Sequence, residues 1–189
     1  METLFGLIIG IGLSAACGFR VFVPLMGMSI AALSGHISLS PGFTWIGTFP
    51  ALIAFTTATI LEIAAYSIPW VDNMMDALTT PAAIIAGTIV TAAAIGDFSP
   101  FLKWALALIV GGGVAGIVQV GTVTLRAGSF GTTGGLANPV VSTIEIIGSI
   151  IITLFAILLP VLCLIAVVWI CYKMIKSMAG NKFFRRTFS

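Results

Sequence analysis

Residues 146–172 read IIGSIIITLFAILLPVLCLIAVVWICY, a run without one charged side chain. A membrane crossing needs about 20 apolar residues at 1.5 Å each, and this run exceeds that length. Similar runs recur at 4–33, 45–69, 81–96 and 101–125. Across the 189 residues, 59% are hydrophobic and 7% charged, with a mean hydropathy of +1.20. A water-facing surface cannot be made from so few charges. The composition therefore predicts an all-α, polytopic membrane bundle and excludes a cytosolic enzyme, a disordered chain and a secreted disulfide scaffold. The runs are uniformly apolar rather than alternating, which excludes a β-barrel.

Five main segments are expected in one integral membrane domain, 1–178, followed by a basic tail, 179–189. The first segment is interrupted by Gly18, Arg20 and Pro24, so it either breaks once or enters the membrane twice. Thr80-Pro81, Ser99-Pro100 and Asn138-Pro139 place a capping residue before proline and predict helix starts at 81, 100 and 139. Pro160 is expected to kink the fifth segment, and Asp97 to mark the end of the third. No basic n-region precedes residues 3–16, so they read as part of the membrane domain rather than a removable leader. Trp45, Trp70, Trp104, Trp169 and Tyr172 fall near segment ends, where interface anchors sit.

Lys173, Lys176, Lys182, Arg185 and Arg186 crowd the C-terminal end. The positive-inside rule puts that end in the cytoplasm. With five crossings, the 127–138 connection and the acidic 70–80 stretch are then outside, and His36 and Lys103 inside. Membrane lipid is the expected partner. No basic face suits nucleic acid. Ala107, Gly111 and Ala115, and Gly112 and Gly116, recur at four-residue spacing, which allows close helix packing within the chain or between copies in a homo-oligomer. The triple glycine 111–113 reads as close packing rather than a hinge.

Charged residues within the apolar runs are costly and draw attention to function. Arg20, Glu62, Arg126 and Glu145 are four such residues. They read either as buried ion pairs or as a polar site for an anionic solute or lipid headgroup. Tyr66, four residues after Glu62, shares its face and is placed to donate to its carboxylate. The stretch 128–135, with Thr132, Thr133, Gly134 and Gly135, leads into Asn138 and Ser142. Backbone amides in such a stretch can cradle an anion beside Arg126. No phosphate-binding GxxxxGK[ST] motif occurs, and no cofactor is expected. Asp72 and Asp76, with Asn73, come nearest to a cation set. They read as a solvated helix end, and no metal is expected. One histidine, His36, does not make a zinc or Cys–His site. Cys17, Cys163 and Cys171 read as small packed hydrophobes. No nucleophile motif appears, so an enzyme is not expected. Thr59–Ile63 resembles Ser142–Ile146, which suggests opposed repeats whose charges meet.

Taken together, Gly18-Phe19-Arg20 with Pro24, Pro69–Asn73 with Asp76, Thr80-Pro81 with Ala86-Gly87, and Thr132–Gly135 followed by Asn138–Ser142 and Glu145 resemble a bacterial membrane-protein family. That family is catalogued as domain of unknown function 4126. The resemblance implies a bacterial cytoplasmic-membrane location and one shared polar feature at these positions, and implies no activity. Ala137 stands where the pattern has glycine and Ile146 where it has an acidic residue, so Glu145 is a lone carboxylate. The functional expectation is a small transporter- or channel-like protein. The alternative is a structural or assembly subunit whose buried charges only fix helix packing.

Overall fold

A computed structural model of the chain describes residues 2–66, 69–96, 98–134 and 136–180, with backbone alone at 2–3, 69–74 and 177–180. The described residues are all-α, with α1 (Glu2–Cys17), α2 (Phe22–Leu33), α3 (Phe49–Ala65) and α4 (Pro69–Ala94) in the first half. The second half holds α5 (Pro100–Leu106), which passes through a π-helical turn (Ala107–Gly112) into α6 (Gly113–Thr133), then α7 (Asn138–Leu158) and α8 (Pro160–Gly180). Met75–Ala94, Pro100–Thr133 and Asn138–Leu158 are each long and apolar enough to cross a membrane. The bundle is therefore that of a helical membrane protein. Asp97, Gly135 and the basic residues of 181–189 lie outside the described residues.

α1 is the axis of the bundle, and its small residues decide how close the others come. A Cβ on Gly6 would lie 2.2 Å from the Ala94 carbonyl oxygen, and one on Gly10 2.9 Å from Thr91 Cα. α4 therefore runs antiparallel to α1 with the backbones in contact. α7 is also antiparallel to α1. Arg20, just beyond α1, meets Ser142, and Ser149 donates to the Ala16 carbonyl at 3.1 Å. Ala156 packs on Gly12. α6 runs parallel to α1, with Ser14 bonded to the Gly111 carbonyl and Gly18 against Ala115 and Val118.

The first apolar run breaks at Gly18–Val21, and α2 turns back alongside α7, where Gly27 meets Thr153. Segment one is thus broken into two short apolar helices that run in opposite directions. Pro24 sits in the first turn of α2, where a missing N–H removes no helical bond.

Pro160 does more than kink. Leu159 leaves helical geometry at φ −136°, ψ 61°, as a residue before proline tends to. α8 then folds back on α7, bringing Cys163 Sγ to 3.7 Å from the Ile152 carbonyl oxygen. Farther along, α8 sets Met174 against Gly121 of α6. The fifth segment is thus a helical hairpin. This corrects the relative sides expected from five crossings. The C-terminal end of α8, the α6–α7 connection and the N-terminal end of α4 lie at one end of the bundle. His36 and Lys103 lie at the other.

One of the expected starts needs correction. Helix α5 does begin at Pro100, with Ser99 accepting from Leu102 N at 3.4 Å. Pro81, however, is inside α4. The hydroxyls of Thr79 and Thr80 bond the Met75 and Asp76 carbonyls at 2.9 Å, holding the turn before the proline. Helix α7 begins as expected near Pro139, but the capping position is Ala137 and Asn138 is already the first helical residue. The third segment starts 12 residues earlier than read, because a bundle supports a proline that water would not.

Ala107, Gly111 and Ala115 are buried, and a Cβ on Gly111 would sit 2.6 Å from the Gly87 carbonyl oxygen. These small residues pack against α1 and α4 within the chain. Cys17 and Cys163 are buried and Cys171 half-buried, all free thiols. Trp45 and Trp104 are exposed at the His36 end, and Trp169 and Tyr172 toward the other. Trp70's side chain is not among those described.

Candidate functional site

Helix directions bring five elements to one end, and each contributes a polar side chain. The α1–α2 link supplies Arg20, α3 supplies Glu62 with Tyr66 just after it, and α4 supplies Asp76 and Thr79. α6 supplies Gln119 and Arg126, and α7 supplies Ser142 and Glu145. Side-chain exposure is 0% for Arg20, 3% for Glu145, 5% for Arg126 and 15% for Asp76.

Glu145 is the hub. Arg126 Nε donates to its Oε1 at 3.0 Å and Nη2 to its Oε2, a two-point pairing. Arg20 Nη2 stands 3.3 Å from the same Oε2 and also donates to Ser142 Oγ at 2.5 Å. Arg126 Nη1 turns to Asp76 Oδ1 at 2.7 Å. Tyr66 lies under both arginines, whose guanidinium carbons stand 4.0 and 4.1 Å from its ring centre. Guanidinium–aromatic stacking holds two like charges near one another at lower cost than bare contact. The Tyr66 hydroxyl pairs with Thr79 Oγ1 at 2.9 Å and reaches Asp76 at 3.4 Å. Gln119 Nε2 donates to Thr79 at 3.1 Å.

Glu62 has a different task. Its two oxygens accept from Val21 N at 2.8 Å and Phe22 N at 3.1 Å. These are first-turn amides of α2, which lack helical partners. A carboxylate from another helix therefore caps α2 and opposes its dipole. Glu62→Gln keeps one acceptor and loses the charge. We expect it to destabilise α2 locally by about 1–2 kcal/mol. Amide exchange at Val21 and Phe22 should speed up while that of α4 stays unchanged. Unaltered exchange at those two amides would refute the cap.

Several expected features are rearranged. Arg20, Glu62, Tyr66, Arg126, Ser142 and Glu145 do come together. Tyr66 does not serve Glu62; its hydroxyl goes to Thr79 and Asp76. Among the described residues no Gly-rich cradle forms, because 128–133 continue α6. Thr132 and Thr133 bond back to carbonyls of Gly128 and Ser129. Gly134 ends the helix at φ +63°, and Gly135 is not described. Arg126 thus faces the bundle rather than a loop. Asn138 is buried at the start of α7. Asp76 is a partner of Arg126 rather than a solvated helix end, and the side chain of Asp72 is not described. His36 is exposed at the far end, its Nδ1 2.8 Å from Ser34. The two similar stretches do not form a structural repeat. Glu62 lies near the C-terminus of α3 and Glu145 near the N-terminus of α7. Thr79 and Gln119 were missed in the sequence, where single uncharged polar residues in apolar runs carry no distinguishing pattern.

A family profile matches residues 7–179, and its description is a domain of unknown function (DUF4126). The chain belongs to the DUF4126 family. No curated protein and no solved structure matches it significantly. Within this DUF4126 protein, the match takes in every residue of the ionic centre.

Proposed function

We propose that this protein is a small, non-enzymatic transporter-like membrane protein whose ionic centre binds an anionic solute or a lipid headgroup. The observation that carries this reading is Arg20. Its side chain is fully buried, yet Nε and Nη1 have no hydrogen-bond partner among the described residues. Buried donors without partners commonly mark an unseen ion or water. They sit at a helix break, where discontinuous helices in transporters hold their ligands. An open pore fits less well, because α1 fills the bundle axis with backbone contacts. The polar side chains are committed to one another, in an arrangement suited to binding rather than covalent chemistry. The test is melting of the purified protein in chloride, phosphate, acetate or glycerol phosphate at matched ionic strength. An anion at 100 times its Kd adds about 2.7 kcal/mol. At least one should raise Tm, and Arg20→Gln should abolish the rise. If no anion moves Tm in the unmodified protein, the reading fails.

The rival reading, a scaffold subunit, draws on Arg126. All three of its guanidinium nitrogens face carboxylates, and Glu62 is committed to a helix cap.

We place the protein in the bacterial cytoplasmic membrane with the C-terminal end of α8 inside. The ionic centre then lies toward the cytoplasm. Ser38 and Leu136 are exposed at opposite ends. In intact cells, a membrane-impermeant maleimide should label Ser38→Cys, and label Leu136→Cys only after permeabilisation. Labelling of Leu136→Cys alone in intact cells would invert the orientation.

A further inference from the structure

We infer that the centre takes up a small monovalent anion only together with a proton. The inference rests on the anion site proposed at Arg20 and narrows its ligand. Among the described residues, the following charged and titratable groups face the centre. Arg20 comes from the α1–α2 link, the Val21 and Phe22 amides from α2, Glu62 and Tyr66 from α3, and Asp76 from α4. Arg126 comes from α6 and Glu145 from α7. Cys17 of α1 lies near Glu62.

Two guanidiniums match the charges of Asp76 and Glu145. Glu62 faces the N-terminus of α2, which offers about half a positive charge. The centre is thus neutral or slightly negative before any ligand arrives. An added anion at Arg20 Nε and Nη1 would leave an uncompensated negative charge in a site closed to water, and such a charge is strongly opposed. Protonation of one carboxyl restores the balance. Asp76 is the more exposed of the two paired acids, at 15% against 3% for Glu145. Two of its partners, Arg126 Nη1 and the Tyr66 hydroxyl, reach it without a bond from Arg20 itself. Asp76 therefore takes the proton while Arg20 takes the anion. The Arg20 side chain has no exposed surface, and on that ground the ligand is assigned to the size class of a halide rather than a headgroup with its chains attached.

Chloride is the probe, exchanged for gluconate at constant ionic strength and followed by melting at pH 5.5, 6.5 and 7.5. A parallel experiment in weak buffer reads proton uptake with a pH dye. One coupled proton makes the apparent chloride affinity fall tenfold for each unit rise in pH. Uptake should be about one proton per chloride. In Asp76→Asn the pH slope should vanish. Should that variant not fold, the unmodified protein alone decides. Chloride binding without a pH slope or proton uptake overturns the coupling and leaves the anion site standing. A slope that survives Asp76→Asn overturns Asp76 as the carrier. Stabilisation by a larger anion but not chloride overturns the size assignment, and no effect of any anion overturns the site itself.

Discussion

Glu145→Gln should lower the melting temperature in detergent by roughly 6–20 °C. The figure follows from a cost of about 3–5 kcal/mol for orphaning a buried charge and about 2–4 °C per kcal/mol at this chain length. The effect should exceed that of Asp76→Asn, because Glu145 serves two arginines and Asp76 one. Arg126→Gln should also destabilise. The double variant Arg126→Gln/Glu145→Gln should melt above the sum of the single losses, since it removes both members of the closest pair. Recovery should stay incomplete, because Arg20 and Asp76 each lose a partner as well. Near-complete recovery would favour the scaffold reading of this pair over a ligand site. A loss below 2 °C in Glu145→Gln would mean that Glu145 is not a charged hub.

Two neighbouring glycines should respond with opposite signs. A Cβ on Gly111 would meet Thr91 Oγ1 at 2.3 Å and the Gly87 carbonyl oxygen at 2.6 Å. The second of these is backbone and cannot swing aside. Gly111→Ala should therefore cost at least the 1–3 kcal/mol typical of overpacking. Nothing lies within 4 Å of a Cβ on Gly113, two residues on. Gly113→Ala should be neutral or stabilise by up to about 1 kcal/mol through helix propensity. Melting curves of the two variants suffice. Equal tolerance would show that α4 and the π-helical turn are not in backbone contact. Gly111 and Gly112 were legible as packing positions, but Gly113 faces open space, and the π-helical turn over Ala107–Gly112 was not legible, since no composition rule separates it from α-helix.

The membrane character, the break near Arg20 and the membership of Arg20, Glu62, Arg126 and Glu145 in one centre could be read from the chain. A charge in an apolar run has few places to go, and pairing is the cheapest. What could not be read was which partner each charge takes. Glu62 gives its carboxylate to backbone amides of α2, a group no side-chain pattern advertises. Asp76 looked solvated because it precedes Pro81, which mimics a helix start. Only the packing of α4 against its neighbours reveals that the helix has begun earlier. The α7–α8 hairpin was hidden for a related reason. Hydropathy is blind to direction, and one proline among apolar residues reads alike whether the chain bends or reverses. That single ambiguity moved the C-terminal end to the other side.

The order of biosynthesis gives the central helix a particular problem. α1 is made before its neighbours α7 and α8, and Ser142, which holds Arg20, lies 122 residues downstream of it. A nascent chain must shelter α1 and Arg20 until Ser142 and Glu145 have left the ribosome. The insertion machinery or a provisional partner helix has to fill that interval. Truncations ending before Glu145 should therefore be cleared by quality-control proteases, and the completed chain should become protease-resistant in one late step.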